Sequence, residues 1–489
     1  MLTPLPVVLP LAGAALALLL RSWRGVQRSI ALAVLAATLV VCVALLVHVD
    51  TSGISAVQIG AWPAPIGITL VVDMFSALML VVSAATVLAV HVFAIGEEGD
   101  DELSPYFHPV YLTLVAGVSA SFLAGDLFNL FVAVEITLAS SYVLITLGGR
   151  RAQVRTGMTY VVLNLLGSTM FLATVGLIYA ATGTVNMADL VGKFDTIPVG
   201  LRTALGLMLL VAFGVKAAIF PLFSWLPDSY PTAPAPVTAV FAGLLTKVGV
   251  YAIVRTQAFY FAGDRSPSTL LLTIAALTML VGVLGAIAQN DMKRILSFHI
   301  VSQVGYMIMG LGLFTVAGVA GSVFYIMHHI PVKTGLFLVA GMVEHSTGTS
   351  SLRRLSGLVR VLPIAGAAFL LAGFSLAGLP PFSGFVAKLA LVQAGFGIRE
   401  WAVVAVSLLV SLLTLFSMLK IWNGAFWGAD DGAPVAAGRK PKWTMVVATS
   451  ALVALSLAIS FCGKPVYDWS EEASRTLLDP DEYVQAVLK

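Results

Sequence analysis

Charge and cysteine are both scarce in this sequence of 489 residues. Only 10% of the residues are charged, against about 25% in soluble domains, and the mean hydropathy is +0.98. The two cysteines, Cys42 and Cys462, lie far apart and form no CxxC pair, so neither an iron–sulfur cluster nor a zinc site is supported. No credible P-loop, HExxH or dinucleotide-binding motif is present. These absences exclude a sizeable soluble domain. They predict a protein that is not itself an enzyme and holds no cofactor, no metal and no nucleic acid.

Long apolar runs take the place of the missing charges. About 20 apolar residues cross a bilayer as a helix. On that basis the sequence predicts an all-α polytopic membrane protein, a single transmembrane domain over 1–489, with about fourteen transmembrane helices. The predicted spans are 3–20, 29–48, 68–95, 106–124, 127–148, 157–181, 202–225, 235–256, 268–288, 295–314, 317–342, 362–395, 401–427 and 443–462.

The basic residues divide unevenly between the two sides of this topology. Of the 27 Lys and Arg residues, fourteen fall in loops on one side, eight on the other, and five lysines lie inside spans. An excess of Lys and Arg marks the cytoplasmic side. The division therefore predicts that both termini lie outside. Arg255 is assigned to the outer side, so no arginine is expected within a span.

Prolines interrupt the seventh and the twelfth predicted spans. The seventh contains Pro221, and the twelfth contains Pro380 and Pro381. A broken helix inside a bilayer is tolerated only where protein or water covers it, and paired breaks in two halves are typical of inverted repeats around an ion path. The breaks are five spans apart, so the two segments run in opposite directions. This predicts one repeat of helices 4–8 over 106–256 and a second of helices 9–13 over 268–427. Two ordinary proline kinks are the alternative.

Five lysines lie within the predicted spans: Lys216, Lys247, Lys333, Lys388 and Lys420. A charge near the bilayer centre costs at least about 2.5–3.5 kcal/mol, so such residues are functional candidates by default. Lysine, unlike arginine, can release its proton when it is desolvated. The first four lysines are therefore predicted to carry protons. Lys420, near the end of its span, is predicted to reach the membrane surface instead.

One glutamate and two histidines complete the candidate relay. Glu135 lies in the middle of a span, where it could bias the proton affinity of a lysine or form a static ion pair. His328 and His329 precede Lys333, and His329 is four residues from that lysine, on the same helical face. Histidine titrates near neutral pH and is suited to passing protons. A metal site would need more ligands at matching spacing than these two histidines offer.

Three other polar residues are weaker cases. Asp73, in the third span, is a weaker functional candidate, with a satisfied polar group near the membrane surface as the alternative, and Asp126 is expected to cap a helix. His299 is expected to form a hydrogen bond with Ser302 or Gln303, although a place in the relay is the alternative.

Five stretches of the sequence resemble the antiporter-like subunits shared by respiratory complex I, membrane-bound hydrogenases and Mrp-type cation/proton antiporters. They are LFNLFVAVEI, VKAAIFPLFSWLPDSYPTAPAPVTAVFAGLLTKVG, DMKRILSFHIVSQVGY, HIPVKTGLFLVAG and LAGLPPFSGFVAK, and they cover most of 70–395 in order. The resemblance implies fourteen helices in two inverted five-helix repeats, with helices 7 and 12 broken. It also implies proton-relay roles at Glu135, Lys216, Lys247, His329, Lys333 and Lys388. The HHIPVKT sequence leaves His328 open as the relay histidine, and some relatives carry glutamate at the position of Lys388.

The resemblance and the buried charges together predict a proton-translocating subunit of a multisubunit Na+/H+ antiporter. Its expected partners are other membrane subunits, the lipid bilayer, and protons and Na+ as the transported ions. One alternative is an M- or N-type proton-pumping subunit of complex I, in which case the chain would be part of NADH:quinone oxidoreductase. A second alternative is a non-conducting scaffold subunit, against which the intact set of lysines and glutamate argues.

Overall fold

The structure, a computed structural model, describes residues 2–97, 105–262, 267–427 and 439–489. Its α-helices are α1 Leu5–Leu19, α2 Arg24–Ser52, α3 Met74–Glu97, α4 Phe107–Leu123, α5 Leu127–Thr146, α6 Arg151–Thr182, α7 Met187–Lys193, α8 Val199–Ala217, α9 Trp225–Ser229, α10 Ala235–Val240, α11 Thr246–Phe261, α12 Ser268–Ala288, α13 Met292–Gly312, α14 Val316–Thr347, α15 Leu358–Val361, α16 Pro363–Ala377, α17 Ser383–Gly397, α18 Trp401–Ile421, α19 Trp443–Phe461, α20 Gly463–Leu478 and α21 Asp481–Leu488. Two π-helical turns, Phe241–Leu245 and Trp422–Trp427, join α10 to α11 and extend α18. Strands β1 (Ser55–Gln58) and β2 (Thr69–Val72) form an antiparallel pair between α2 and α3.

Each of the fourteen predicted spans overlaps at least one of these helices. Within the described residues, eleven helical segments are long and apolar enough to cross a membrane, and α1, α4 and α16 are shorter apolar helices. The all-α polytopic membrane fold predicted from the sequence is therefore confirmed, while the number of crossings stays a prediction. The apolar windows of α10–α11 and of α14 are entirely buried, so these helices form the centre of the bundle. Outer helices expose large apolar side chains such as Val40, Val162 and Leu412, as expected for faces that contact acyl chains.

The predicted breaks in the seventh and twelfth spans are present. In the seventh span, the first helix, α8, ends at Ala217. Ala218 then adopts a left-handed conformation with φ of 57°, and the chain continues to α9. In the twelfth span, α16 ends at Ala377. Gly378 follows in a left-handed conformation with φ of 87°, and α17 begins only at Ser383. Each break leaves the carboxyl end of a helix, with unsatisfied carbonyl groups, inside the bundle.

The segments that precede α5 and α13 form the same contacts, between residues whose numbers differ by 165. Asp126 caps α5 and pairs through the backbone with Asn186, whereas Asp291 caps α13 and pairs with Ser351 (126 to 291 and 186 to 351). Between the paired residues lie the long helices α6 and α14. Both are 32 residues long, and both end at a left-handed glycine. The helix cap predicted at Asp126 is confirmed. The offset matches the positions of the two predicted repeats, and their division of the chain stays a prediction.

One arginine is buried inside the bundle, contrary to expectation. Arg255 lies in α11, is 3% exposed, and donates to both carboxylate oxygens of Asp73 and to the hydroxyl of Tyr251. The ring of Tyr483 from α21 lies 5.5 Å from the guanidinium carbon. The prediction that Arg255 belongs to the outer loops is wrong, because a buried carboxylate neutralises its charge. The ion pair agrees with the alternative given for Asp73, that of a satisfied polar group.

Replacing Asp73 by asparagine is expected to destabilise the protein by about 3–5 kcal/mol, because it leaves the buried Arg255 without its counter-charge. The measurement is thermal unfolding of the purified protein in detergent. Asp195→Asn is the matched control: Asp195 is exposed in its ion pair with Arg202, and its loss should cost less than about 1 kcal/mol. Equal losses in the two variants would show that the buried pair has no special role.

Candidate functional site

Glu135 on α5 and Lys216 on α8 belong to two helices that both pack against α6, but no ion pair joins the two residues among those described. Lys216, in the last turn of α8, donates to the carbonyl of Asn164 at 2.7 Å and to the hydroxyl of Ser168 at 2.8 Å, both on α6. Glu135 on α5 is half-buried, and one of its carboxylate oxygens has no hydrogen-bond partner within the described structure. The charge of Glu135 nevertheless acts on Lys216. The pair is close without being in direct contact.

A small cavity lies beside Lys216. Its volume is about 20 Å³, enough for roughly one water molecule. Its lining includes Lys216 itself, Asn164 and Tyr160, and it also includes Val134 and Leu138 on the helix that carries Glu135. The cavity therefore occupies the space between the ammonium group and α5.

Lys247 is fully buried at the beginning of α11. The π-helical turn Phe241–Leu245 precedes it and brings the carbonyl of Ala242 within 2.7 Å of its ammonium group, while the hydroxyl of Thr246 lies at 3.2 Å. Such turns are frequent at functional sites because they redirect backbone groups. Gly249 packs so closely on α8 that an added Cβ would lie 2.9 Å from the carbonyl carbon of Lys216. Lys247 and Lys216 thus belong to helices in tight contact.

The central helix α14 carries three predicted relay residues, all of them fully buried. The Nδ1 atom of His328 is 2.8 Å from the hydroxyl of Ser383. Both ring nitrogens of His329 and the ammonium of Lys333 have no hydrogen-bond partner among the described residues. Pro331 does not end the helix, which continues to Thr347, so His329 and Lys333 keep their common face.

Unpartnered polar atoms of this kind are costly, at about 1–3 kcal/mol each and more for charged groups. A core selected for stability alone would hydrogen-bond or replace them. An added Cβ at Gly243, in the π-helical turn before Lys247, would lie 2.3 Å from the hydroxyl oxygen of Thr334 on α14, and one at Gly384 on α17 would lie 3.0 Å from Cε1 of His328. Helix α14 therefore packs against both the turn that precedes Lys247 and the helix that carries Lys388.

Lys388 lies on α17 and binds the broken end of α16. Its ammonium donates to the carbonyls of Leu376 at 3.1 Å and Ala377 at 2.9 Å and to the hydroxyl of Ser411 at 3.0 Å. It also lies 4.8 Å from the ring centroid of Tyr306. The carboxyl end of a helix is its negative pole, which favours a cation. The break in the twelfth span thus creates the site that holds this lysine.

His299 on α13 contacts another helix rather than residues of its own. Its Nε2 atom lies 2.8 Å from the hydroxyl of Ser417 on α18, and its buried Nδ1 has no partner among the described residues. The predicted bond to Ser302 or Gln303 is wrong. Ser302 donates to a carbonyl of α12, and Gln303 accepts from a tyrosine of α14. A place for His299 in the candidate relay, the alternative, stays a prediction.

Lys420, which is predicted to reach the membrane surface, caps the end of another helix and is half-buried. Its ammonium donates to the carbonyls of Ile287 at 2.8 Å and Gln289 at 2.6 Å, at the carboxyl end of α12. It is therefore a cap that joins α18 to α12, apart from the candidate relay.

A large cavity of about 710 Å³ opens at the end of α14. Lys293 and Glu344 form an ion pair in its wall, and Gly341 and Ala235 also line it. An added Cβ at Gly341 would lie 2.7 Å from the Cβ of Ala235, so α14 and α10 are in close contact there. Lys333 lies eight residues before Gly341, about 12 Å along the helix axis.

Comparison with known proteins supports a single assignment. Residues 124–414 match the family described as NADH:quinone oxidoreductase/Mrp antiporter, TM. A Na(+)/H(+) antiporter subunit of the D type, from Alkalihalophilus pseudofirmus, is 42% identical over 487 residues, and the alignment covers 99% of each chain. A chain in the structure of the Mrp complex from Dietzia sp. superposes with a TM-score of 0.94 at 36% identity, covering 100% of this chain and 99% of that one. A chain of respiratory complex I from Thermus thermophilus gives 0.81 at 25% identity, covering 98% and 100%.

Proposed function

The chain belongs to the NADH:quinone oxidoreductase/Mrp antiporter family of transmembrane subunits, and we propose that it translocates protons as a subunit of a multisubunit Na+/H+ antiporter. It is a transporter subunit rather than an enzyme. The observation that carries the proposal is the fully buried group of His329 and Lys333, whose polar atoms lack hydrogen-bond partners among the described residues. Groups left in this state at a cost to stability are available to exchange protons.

The proposed proton path runs sideways through the centre of the bundle. Glu135 and Lys216 form its first part, with the 20 Å³ cavity able to hold a linking water. Lys247 follows on the helix packed against α8, then His329 and Lys333 on α14.

The second part of the path leads from α14 to Lys388. His328 and His299 both lie within the electrostatic influence of Lys388, and each has one buried ring nitrogen without a partner among the described residues. Neutral imidazole can accept a proton at one nitrogen while it donates from the other. Either ring therefore suits the step between Lys333 and Lys388.

The partners proposed for this chain are other membrane subunits. Glu135 shares its side of α5 with Phe128 and Val132, which are 50% and 38% exposed. A carboxylate beside a lipid-facing surface is unfavourable, so a neighbouring subunit is expected to cover this face. Exchange of Na+ against protons is proposed to need these partners.

The proposed location is a bacterial plasma membrane with both termini outside. The unequal division of basic residues between the loops supports this orientation. The 710 Å³ cavity, with Lys293 in its wall, would then open to the cytoplasm. A thiol reagent applied from either side to a cysteine placed within residues 350–360 tests the orientation.

The antiporter assignment is better supported than membership of complex I, because the full-length likeness to antiporter subunits is the stronger one. A non-conducting scaffold would gain nothing from four buried lysines that each oppose insertion into the bilayer.

The proposed function is tested in inside-out vesicles from cells that lack this chain but retain its partner subunits. Addition of Na+ is expected to dissipate an imposed pH gradient only when the chain is restored, and choline should have no effect. A complex I subunit would instead support proton movement that requires NADH and quinone and ignores Na+. That second result would refute the antiporter assignment.

A further inference from the structure

Three of the four lysines on the proposed path share one kind of binding site. Each ammonium group donates to one or two backbone carbonyls and also to one side-chain hydroxyl. The hydroxyl belongs to Ser168 for Lys216, to Thr246 for Lys247 and to Ser411 for Lys388, at 2.8, 3.2 and 3.0 Å. These hydroxyls come from α6, α11 and α18, so the shared arrangement is not the result of a single packing contact.

Two other lysines lack this arrangement. Lys420, which lies apart from the proposed path, donates to the carbonyls of Ile287 and Gln289 and to no hydroxyl among the described residues. Lys333 lies on the path but has no hydrogen-bond partner within the described ranges. The hydroxyl therefore distinguishes the hydrogen-bonded lysines of the path from a lysine that only caps a helix.

A hydroxyl offers a lysine something that a carbonyl cannot. A carbonyl oxygen only accepts hydrogen bonds, so it can bind an N–H group but never the lone pair of a neutral amine. A hydroxyl can accept from the ammonium group, and it can turn to donate to the lone pair once the proton has left. Without such a donor, the buried lone pair would stay unsatisfied, which is costly. The hydroxyl thus supplies the partner that only the neutral state needs.

The contacts of Ser411 show how the change of state can occur. Its hydroxyl accepts from the ammonium of Lys388 and donates to the carbonyl of Ala377 at 2.8 Å. The same carbonyl accepts from Lys388 at 2.9 Å. When the ammonium gives one proton to the next group of the path, the amine can keep its bond to Ala377 while the hydroxyl turns from that carbonyl to the nitrogen. The lysine then keeps its partners, and the serine keeps its own proton throughout.

We propose that the three hydroxyls are positioning groups that hold their lysines in place in both the protonated and the neutral state. They are termed here the reversible hydroxyls, and they belong to Ser168, Thr246 and Ser411. They pass no proton along the path themselves. The inference rests on the proposed function, since a lysine that never released its proton would need only carbonyls, as Lys420 does.

Ser411→Ala tests the proposal at Lys388. We expect the variant, in the complete complex, to lower Na+/H+ antiport by about tenfold, because the neutral lysine would lose its only donor. Ser407→Ala is the matched control on the same helix. Ser407 is buried, and among the described residues its hydroxyl bonds only the carbonyl of Val404, so its loss should leave antiport nearly unchanged. Equal antiport in the two variants, at equal complex yield, would overturn the proposal.

Ser411→Thr separates a role in proton exchange from a structural role. Threonine keeps the hydroxyl, so this variant should retain most of the antiport that Ser411→Ala loses, with the same yield of complex. A serine needed only for packing would respond to the added methyl group as well, and the yield would fall in both variants. Antiport lost to the same extent in both would refute the proposal.

Lys216 provides an independent test, which decides the case in which Ser411→Ala fails to assemble. Ser168→Ala should also lower antiport by about tenfold, for the same reason. Thr174→Val is its control, because Thr174 lies on α6 with Ser168, is fully buried, and bonds the carbonyl of Met170 in its own helix. If both variants keep equal antiport, the reversible hydroxyls have no role in turnover.

Failure of this inference is distinguishable from failure of the proposed function. If only the inference is wrong, the hydroxyl variants retain antiport while replacement of a lysine on the path still abolishes it. If the proposed function is wrong, vesicles show no Na+-dependent proton movement with the native chain either.

Discussion

Replacing Lys388 by arginine is expected to lower Na+/H+ antiport by about a hundredfold while the complex still assembles. Arginine can still donate to the carbonyls of Leu376 and Ala377 and contact the ring of Tyr306, so the broken end of α16 remains capped. It holds its proton at any physiological pH, however, and cannot pass it on. The measurement is Na+-driven proton movement in vesicles beside the yield of the purified complex.

Lys420→Arg is the matched control for this substitution. Lys420 also caps the carboxyl end of a helix through two backbone carbonyls, but it lies apart from the proposed path. Its arginine variant should keep nearly all antiport. Full antiport activity in the Lys388→Arg variant would show that only a positive charge is required at position 388. Lys388 would then have no place in the proposed proton path.

Substitution of Lys388 by glutamate extends the same comparison. A protonated carboxyl group can donate to one of the α16 carbonyls and can still release its proton, whereas alanine can do neither. We therefore expect Lys388→Glu to retain more antiport than Lys388→Ala. Equal loss in both would leave no support for proton exchange at this position.

Lys216→Ala is expected to reduce antiport by a similar factor of about a hundred, and adding Glu135→Gln should not restore it. No ion pair joins the two residues among those described, and the ammonium is satisfied by Asn164 and Ser168 on α6. Neutralising Glu135 therefore cannot compensate for the missing lysine. A static structural pair predicts the opposite, because removal of both charges would relieve the unpaired one.

Lys193→Ala is the control for this experiment, since Lys193 is an exposed lysine on α7. It should leave both antiport and complex yield unchanged. Antiport recovered in the double variant to the level of Lys193→Ala would remove Lys216 from the proposed path.

The helices and their breaks were predictable because the signals behind them are local. Apolar length alone indicates a span, and Pro221, Pro380 and Pro381 each remove a backbone donor that a continuous helix would use. The relay lysines were also predictable, because the cost of a charge in a bilayer is large for any neighbour. The positions of these groups along the chain therefore followed from the sequence.

The wrong predictions share one cause, which is that each concerned a partner distant in sequence. Arg255 pairs with Asp73, 182 residues away, and His299 contacts Ser417, 118 residues away. The spacing of residues in the sequence predicts which side chains share a face of one helix. It does not predict which residues of another helix pack against that face.

The sequence by itself determined the class of this protein: a polytopic α-helical membrane subunit with two broken helices and four deeply buried lysines. Only the tertiary structure decided what each charge touches. It placed Lys388 on the open end of α16, separated Glu135 from direct contact with Lys216, and brought the hydroxyl of Ser383 to the ring of His328. The physical reason is that hydropathy acts over a whole span, whereas a hydrogen bond depends on a separation of about 3 Å. That separation is set by the rotation and packing of helices far apart in the chain.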